Sequence, residues 1–89
     1  MKFSRKFTNK LVSYADRYFT YDRRTMRRED NNEHFDFYAH RDDATVMIDR
    51  LSTGSIYLCI KKDKKYVYQV IVKSFAEIRN FKRMILCLG

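Results

Sequence analysis

The sequence predicts an α+β domain: an N-terminal helix, a three- to four-stranded antiparallel sheet with a C-terminal hairpin, then a C-terminal helix. Three observations carry this. Aromatic and apolar residues recur at helical spacing from Phe3, the period changes to two from His34 onward, and a capping box at Ser74 announces a second helix.

Phe3, Phe7, Leu11, Tyr14 and Tyr18 lie four, four, three and four residues apart, which predicts a helix from about Ser4 to Tyr18 with this stripe as its buried face. At about 100° per residue, Lys6, Lys10 and Arg17 fall together on the opposite side, and Arg24 and Arg28 join them if the helix runs on. Tyr21 to Asn32 is almost wholly polar, with Asp30-Asn31-Asn32 a turn or loop signal, and leaves open whether 23–28 is helical.

Phe35 and Phe37 then alternate with His34, Asp36 and Tyr38, and Thr45 to Leu51 is rich in β-branched and apolar residues, with a break at Arg41-Asp42-Asp43. Both read as strands. After the turn Ser52-Thr53-Gly54-Ser55, Ile56, Leu58 and Ile60 face one way while Tyr57, Cys59 and Lys61 face the other. Lys62-Asp63-Lys64-Lys65 and a strand from Tyr66 to Lys73 complete a hairpin. Ser74-Phe75-Ala76-Glu77 is the capping box of the second helix, whose buried side is read as Phe75, Ile78, Phe81 or Lys82, and Ile85. Both helices are expected on one face of the sheet.

At 89 residues the chain reads as one small basic domain, 1–89, burying about 60 to 65% of its unfolded surface. With 16% aromatic residues, no Pro and only two Gly, it has too much ring surface for a disordered basic tail and no linker to divide it. Cys59 and Cys87 read as reduced thiols acting as small apolar residues. The N-terminus lacks the apolar run that secretion needs, and the longest such run, Met84 to Leu88, falls far short of the roughly 20 residues that span a bilayer. A soluble cytoplasmic protein with no membrane partner is expected.

Charge is segregated along the chain. Residues 1–30 carry nine Lys/Arg against four Asp/Glu, residues 31–54 two against five, and residues 55–89 eight against two, for a net +8. Self-repulsion of this size disfavours a compact fold, so a small domain that keeps it usually has a polyanionic partner. The same layout suggests a two-fold homodimer, with the acidic centre of one protomer on a basic end of the other and Met84 to Leu88 buried between them.

Two clusters are candidates for nucleic-acid contacts, together with Lys6, Lys10 and Arg17. Arg23, Arg24, Arg27 and Arg28 lie within six residues, and guanidinium forks match phosphate oxygens and stack on unpaired bases. A solvated polar face tempered by Asp22, Glu29 and Asp30 is the competing reading. Lys61, Lys62, Lys64 and Lys65 cluster at the hairpin tip, where they could straddle a phosphate backbone beside the stacking surface of Tyr57, Tyr66 and Tyr68. Lysine also keeps sheet edges soluble, which is the plainer account. His34, Asp36, His40, Asp42 and Asp43 are the only gathering of metal or acid/base ligands. No Cys- or Glu-rich pattern supports a metal among them, so no catalytic, metal or cofactor site is assigned.

The helix–strands–helix order resembles a double-stranded-RNA-binding domain, although Ser74-Phe75-Ala76-Glu77-Ile78 stands where that family carries its lysine-rich motif. In size and charge the chain is similar to small ribonuclease toxins of toxin–antitoxin systems. In its lack of Pro and its abundance of Lys, Asn, Tyr, Phe and Ile it resembles small early accessory proteins of T-even-type phages, among them TifA-like toxin-inhibitory factors. That resemblance implies a counter-defence factor acting in the infected bacterial cytoplasm against a host toxin or defence protein, through RNA. The leading expectation is a non-enzymatic nucleic-acid-binding protein. RNA is favoured over DNA because no helix-turn-helix signal offers a recognition helix. The alternatives are a protein-binding inhibitor that docks its basic face on an acidic enzyme, a small RNase toxin and a DNA-binding regulator.

Overall fold

The structure, a computed structural model, describes residues 2–18, 23–29, 34–41 and 43–88, and the side chains of 2–17, 37 and 43–88. Helix α1 (Arg5–Tyr18) is followed by β1 (Arg23–Glu29), β2 (His34–Arg41), β3 (Ala44–Arg50), β4 (Ile56–Lys62), β5 (Lys65–Ile71) and helix α2 (Phe75–Leu88). The strands form one antiparallel meander in chain order. This is the expected α+β arrangement, with one strand beyond the three or four predicted.

The addition is β1, over the arginine-rich segment. Its sequence Arg-Arg-Thr-Met-Arg-Arg-Glu has no apolar period, and it is a strand because its backbone pairs with β2, from Arg23 opposite His40 to Glu29 opposite His34. Charged residues on such an edge discourage further pairing. Arg24 and Arg28 therefore do not extend the cationic face of α1.

Helix α1 starts at Ser4, whose Oγ accepts from the Phe7 backbone N–H at 3.0 Å while its carbonyl accepts from the Thr8 hydroxyl at 3.0 Å. The Ser4 hydroxyl thereby satisfies an amide that a helix start otherwise leaves unpaired. The buried face is turned from the predicted stripe and centres on Thr8, Leu11, Val12 and Ala15, while Phe7 and Tyr14 lie half-buried at its margin. Small residues at Thr8 and Ala15 let the helix approach the sheet closely. The large rings are displaced to the rim, where Phe7 stacks on Phe3 at 5.0 Å between ring centroids.

The described middle of the sheet's helix-facing side is an apolar layer. Phe37, Ile48 and Leu58 lie in one cross-strand row, Val46 and Ile60 in the next, and all five are fully buried. Each such burial stabilises by about 1.5–3 kcal/mol relative to exposure. Helix α2 adds Ile78, Phe81 and Ile85 from above. The Glu77 carboxylate reaches back to accept from the backbone N–H of Ser74, at 3.1 Å, and of Lys73. Phe75 departs from its predicted burial: it is 51% exposed and meets Phe3 and Phe7 edge-on at 6.0 and 6.1 Å. Within Met84 to Leu88, Ile85 is buried in the core with Met84 and Leu88 packed against it, while Leu86 and Cys87 are exposed.

Two turns set the geometry around the helices and the hairpin. At Gly54 (φ +92°) the carbonyl accepts from the Phe3 N–H at 2.7 Å, and Arg50 Nε donates to the Phe3 carbonyl at 2.9 Å, so the entry to α1 is fastened to the β3–β4 loop. The β4–β5 turn places Asp63 and Lys64 at φ 53° and 66°, a left-handed pair where Asn-Gly is the usual choice. A residue carrying a Cβ is disfavoured there by about 1–2 kcal/mol. Cys59 is buried, Cys87 exposed, and both are free. Among the described residues no helix is long and apolar enough to cross a membrane.

Candidate functional site

The helical period that turns Thr8, Leu11 and Val12 inward turns Lys6, Lys10 and Arg17 outward, and all three are exposed as predicted. The structure adds what the period cannot: these cations border a shallow, open groove of about 690 Å³, lined also by Arg5, Asn9, Ser13, Tyr14 and, from α2, Lys82. Lys82 Nζ sits 4.8 Å from the centre of the Tyr14 ring, a cation–π contact that ties the helices together and holds the ammonium at the groove wall. Among the described residues the lining holds five cationic side chains and no carboxylate.

A second cationic surface is the β4–β5 hairpin. Lys62, Lys64 and Lys65 are exposed, and Lys61, half-buried, holds Nζ 5.0 Å from the centre of the Tyr66 ring. The three tyrosines expected beside it divide. Tyr57 and Tyr66 belong to the sheet face away from the helices, whereas Tyr68 turns inward, donates its hydroxyl to the Glu77 carbonyl at 2.9 Å and lies 6.4 Å from Phe81. Burial, then the nearby Glu77 charge, pushes the Tyr68 hydroxyl above its usual value. The Tyr57 hydroxyl accepts from Gln69 Nε2 at 2.9 Å, and burial raises both it and the neighbouring Cys59 thiol. Raised values keep both groups neutral at ordinary pH, so neither is an activated nucleophile. At the tip the Asp63 N–H donates to the Asp43 carbonyl at 3.0 Å, and the Asp43 carboxylate, by hydrogen bond and by repulsion, raises the Asp63 carboxyl.

The side chains of Arg23, Arg24, Arg27 and Arg28 lie outside the described residues, but the backbone register divides their positions. Position 24 shares a row with Val46 and Ile60 and position 28 with Arg50 and Ile56, on the helix side. Positions 23 and 27 lie on the other face. Position 23 shares its row with His40, Thr45, Lys61 and Tyr66. The four positions therefore divide between the two faces of the sheet, and position 23 lies in the row that reaches the hairpin.

Among the described residues no three of His, Cys, Asp and Glu gather to hold a metal. His34, Asp36 and His40 occupy β2, and their side chains, with Asp42, are outside the described residues; Asp43 is an exposed turn residue facing Asp63. Of the groove, sequence reasoning found Lys6, Lys10 and Arg17 but missed Arg5, Tyr14 and Lys82. Only the packing of α2 against α1 brings Lys82 there.

These features define a small α+β protein with a cationic groove on its helical layer and a lysine hairpin at the end of its sheet. Compared with known proteins, the chain matches no family model, no curated protein and no solved structure.

Proposed function

We propose that the chain is a non-enzymatic nucleic-acid-binding protein, with RNA favoured over DNA. The observation that carries this reading is the groove on α1, where Arg5, Lys6, Lys10, Arg17 and Lys82 border one concavity that no acidic side chain among the described residues lines. Cations held at helical spacing around a concave surface suit a phosphate backbone, which releases counterions as each phosphate is neutralised. The net charge of +8 supplies the long-range attraction. Fluorescence anisotropy of a labelled single-stranded RNA, titrated across salt, tests it: with five contacts the log-log slope is about −3.5, from roughly −0.7 per contact. Affinity independent of salt overturns the reading.

A second reading, an inhibitor that docks on another protein, is favoured by the exposed apolar side chains of Val67 and Ile71 on edge strand β5 and of Phe75 beyond it. A TifA-like phage factor countering a host RNase toxin in the bacterial cytoplasm joins the two readings, and its support is compositional. Self-association is proposed too, now with the exposed Leu86 as its apolar contact. Light scattering that gives only the 10.9 kDa protomer removes it.

A further inference from the structure

We infer that the sheet face away from the helices is a second binding surface, specific for single-stranded nucleic acid, on which an unpaired base stacks against Tyr66 while Lys61, on the same face, and Lys64, at the hairpin tip, hold the phosphates. The inference rests on the nucleic-acid reading above and deepens it by naming the strand state of the ligand.

Four observations converge on this face. Tyr66 is 58% exposed, an unusual exposure for a ring that one position further along the strand could have turned into the core, as Tyr68 is. Its place follows from the irregularity between Ile60 and Lys61: Ile60 pairs with Tyr68 but Lys61 with Tyr66, so Val67 is the extra residue and Tyr66 shares the outward face with Lys61. The Lys61 ammonium lies 5.0 Å from the ring centre, which leaves the other side of the ring for a base and sets a cation beside it.

The turn supplies the fourth observation. Lys64 is held in a left-handed conformation that glycine would adopt without strain, and unlike Asp63 it has no short polar side chain to satisfy the backbone locally. Lysine at this position puts a cation at the apex of the hairpin, between Lys62 and Lys65 in sequence. The occupant follows from charge: an exposed aromatic ring with an ammonium at its face, on a chain of net charge +8, complements a polyanion with π-faces. Duplexes hide those faces in their stack, so the match is to a single strand.

The test compares binding of one sequence as single-stranded RNA, as single-stranded DNA and as duplex RNA, by anisotropy with the full chain. Tyr66→Ala should weaken single-strand binding about tenfold, the loss of one stacked base, and leave duplex binding unchanged; Tyr66→Phe should restore it. Lys64→Gly should raise the melting temperature by about 4–8 °C and yet weaken single-strand binding about fourfold at physiological salt, the loss of one phosphate contact. Either single strand, bound more tightly than duplex, supports the inference, and the RNA-to-DNA ratio names the source. A parent that binds single strands through the groove, with both Tyr66→Ala and Lys64→Gly neutral, overturns this inference while the wider reading stands. A parent that binds no oligonucleotide at low salt overturns both.

Discussion

The two cationic surfaces present charge in opposite ways. Around the groove, cations are carried on a helix whose 3.6-residue turn fixes their spacing, and Lys82 is pinned on the Tyr14 ring. At the hairpin, lysines project from a two-residue turn in a disfavoured backbone conformation, beside an exposed ring. A concave array can hold a backbone along its length, whereas a projecting one touches it at a point and depends on stacking for the rest. A preformed array loses less entropy on binding, so the groove should dominate affinity and the hairpin should decide which strand state is preferred.

Breaking the groove gives the largest expected effect. Reversing Lys6, Lys10 and Arg17 to Glu should reduce RNA affinity by at least ~100-fold at physiological salt, since three neutralised phosphates become three repelled ones. All three are exposed, so circular dichroism should show the fold retained. Reversal of Lys62, Lys64 and Lys65 should cost less than that, because those ammoniums lie outside the groove. If the hairpin variant loses more than the groove variant, the ranking of the two surfaces is inverted. The four β1 arginines make a poorer test, because positions 24 and 28 fall on the helix side of the sheet and their reversal confounds binding with folding.

A smaller effect probes what holds the groove's helix in place. Gly54→Ala forces a Cβ into a left-handed turn, with Lys2 Cβ 3.4 Å away, and should destabilise by about 1–2 kcal/mol in thermal melts. Because Gly54 accepts from Phe3 at the entry to α1, groove-mediated binding should weaken with it. Hairpin stacking should not.

The smallest effect concerns pH. The Asp63 carboxyl is raised above its ordinary 3.8 by Asp43, so protonation is easier in the folded state than in the unfolded chain. Its stabilising contribution is complete below 3.8 and is lost as pH rises through the folded value, after which two neighbouring carboxylates repel. Asp63→Asn should flatten this segment of a stability-versus-pH curve, measured by denaturant melts between about pH 3 and 6, and leave the rest of the curve in place.

How much was legible in the chain differs by element. The β4–β5 hairpin and the capping box of α2 could be read directly, because alternation in Ile56, Leu58 and Ile60 and the Ser74–Glu77 spacing are local signals that the structure repeats. Helix α1 was legible in extent but not in rotation. Phe3, Phe7 and Tyr14 dominate its apolar pattern, yet the sheet takes Thr8 and Ala15, since close approach rewards small side chains over large ones. Strand β1 was illegible. Nothing in Arg-Arg-Thr-Met-Arg-Arg-Glu alternates, and its conformation comes from the ladder with β2.

By itself the sequence determined the α+β order, the excess of positive charge and the outward side of α1, all of which follow from composition and from periods a few residues long. The tertiary structure decided which cations share a surface. It brought Lys82 from the last helix to Arg5 and Arg17 on the first, divided the β1 arginine positions between two faces, and turned Tyr66 outward while Tyr68 turned in. Those outcomes depend on packing and on strand register between residues distant in sequence, and a one-residue change of register exchanges the faces without altering any local pattern.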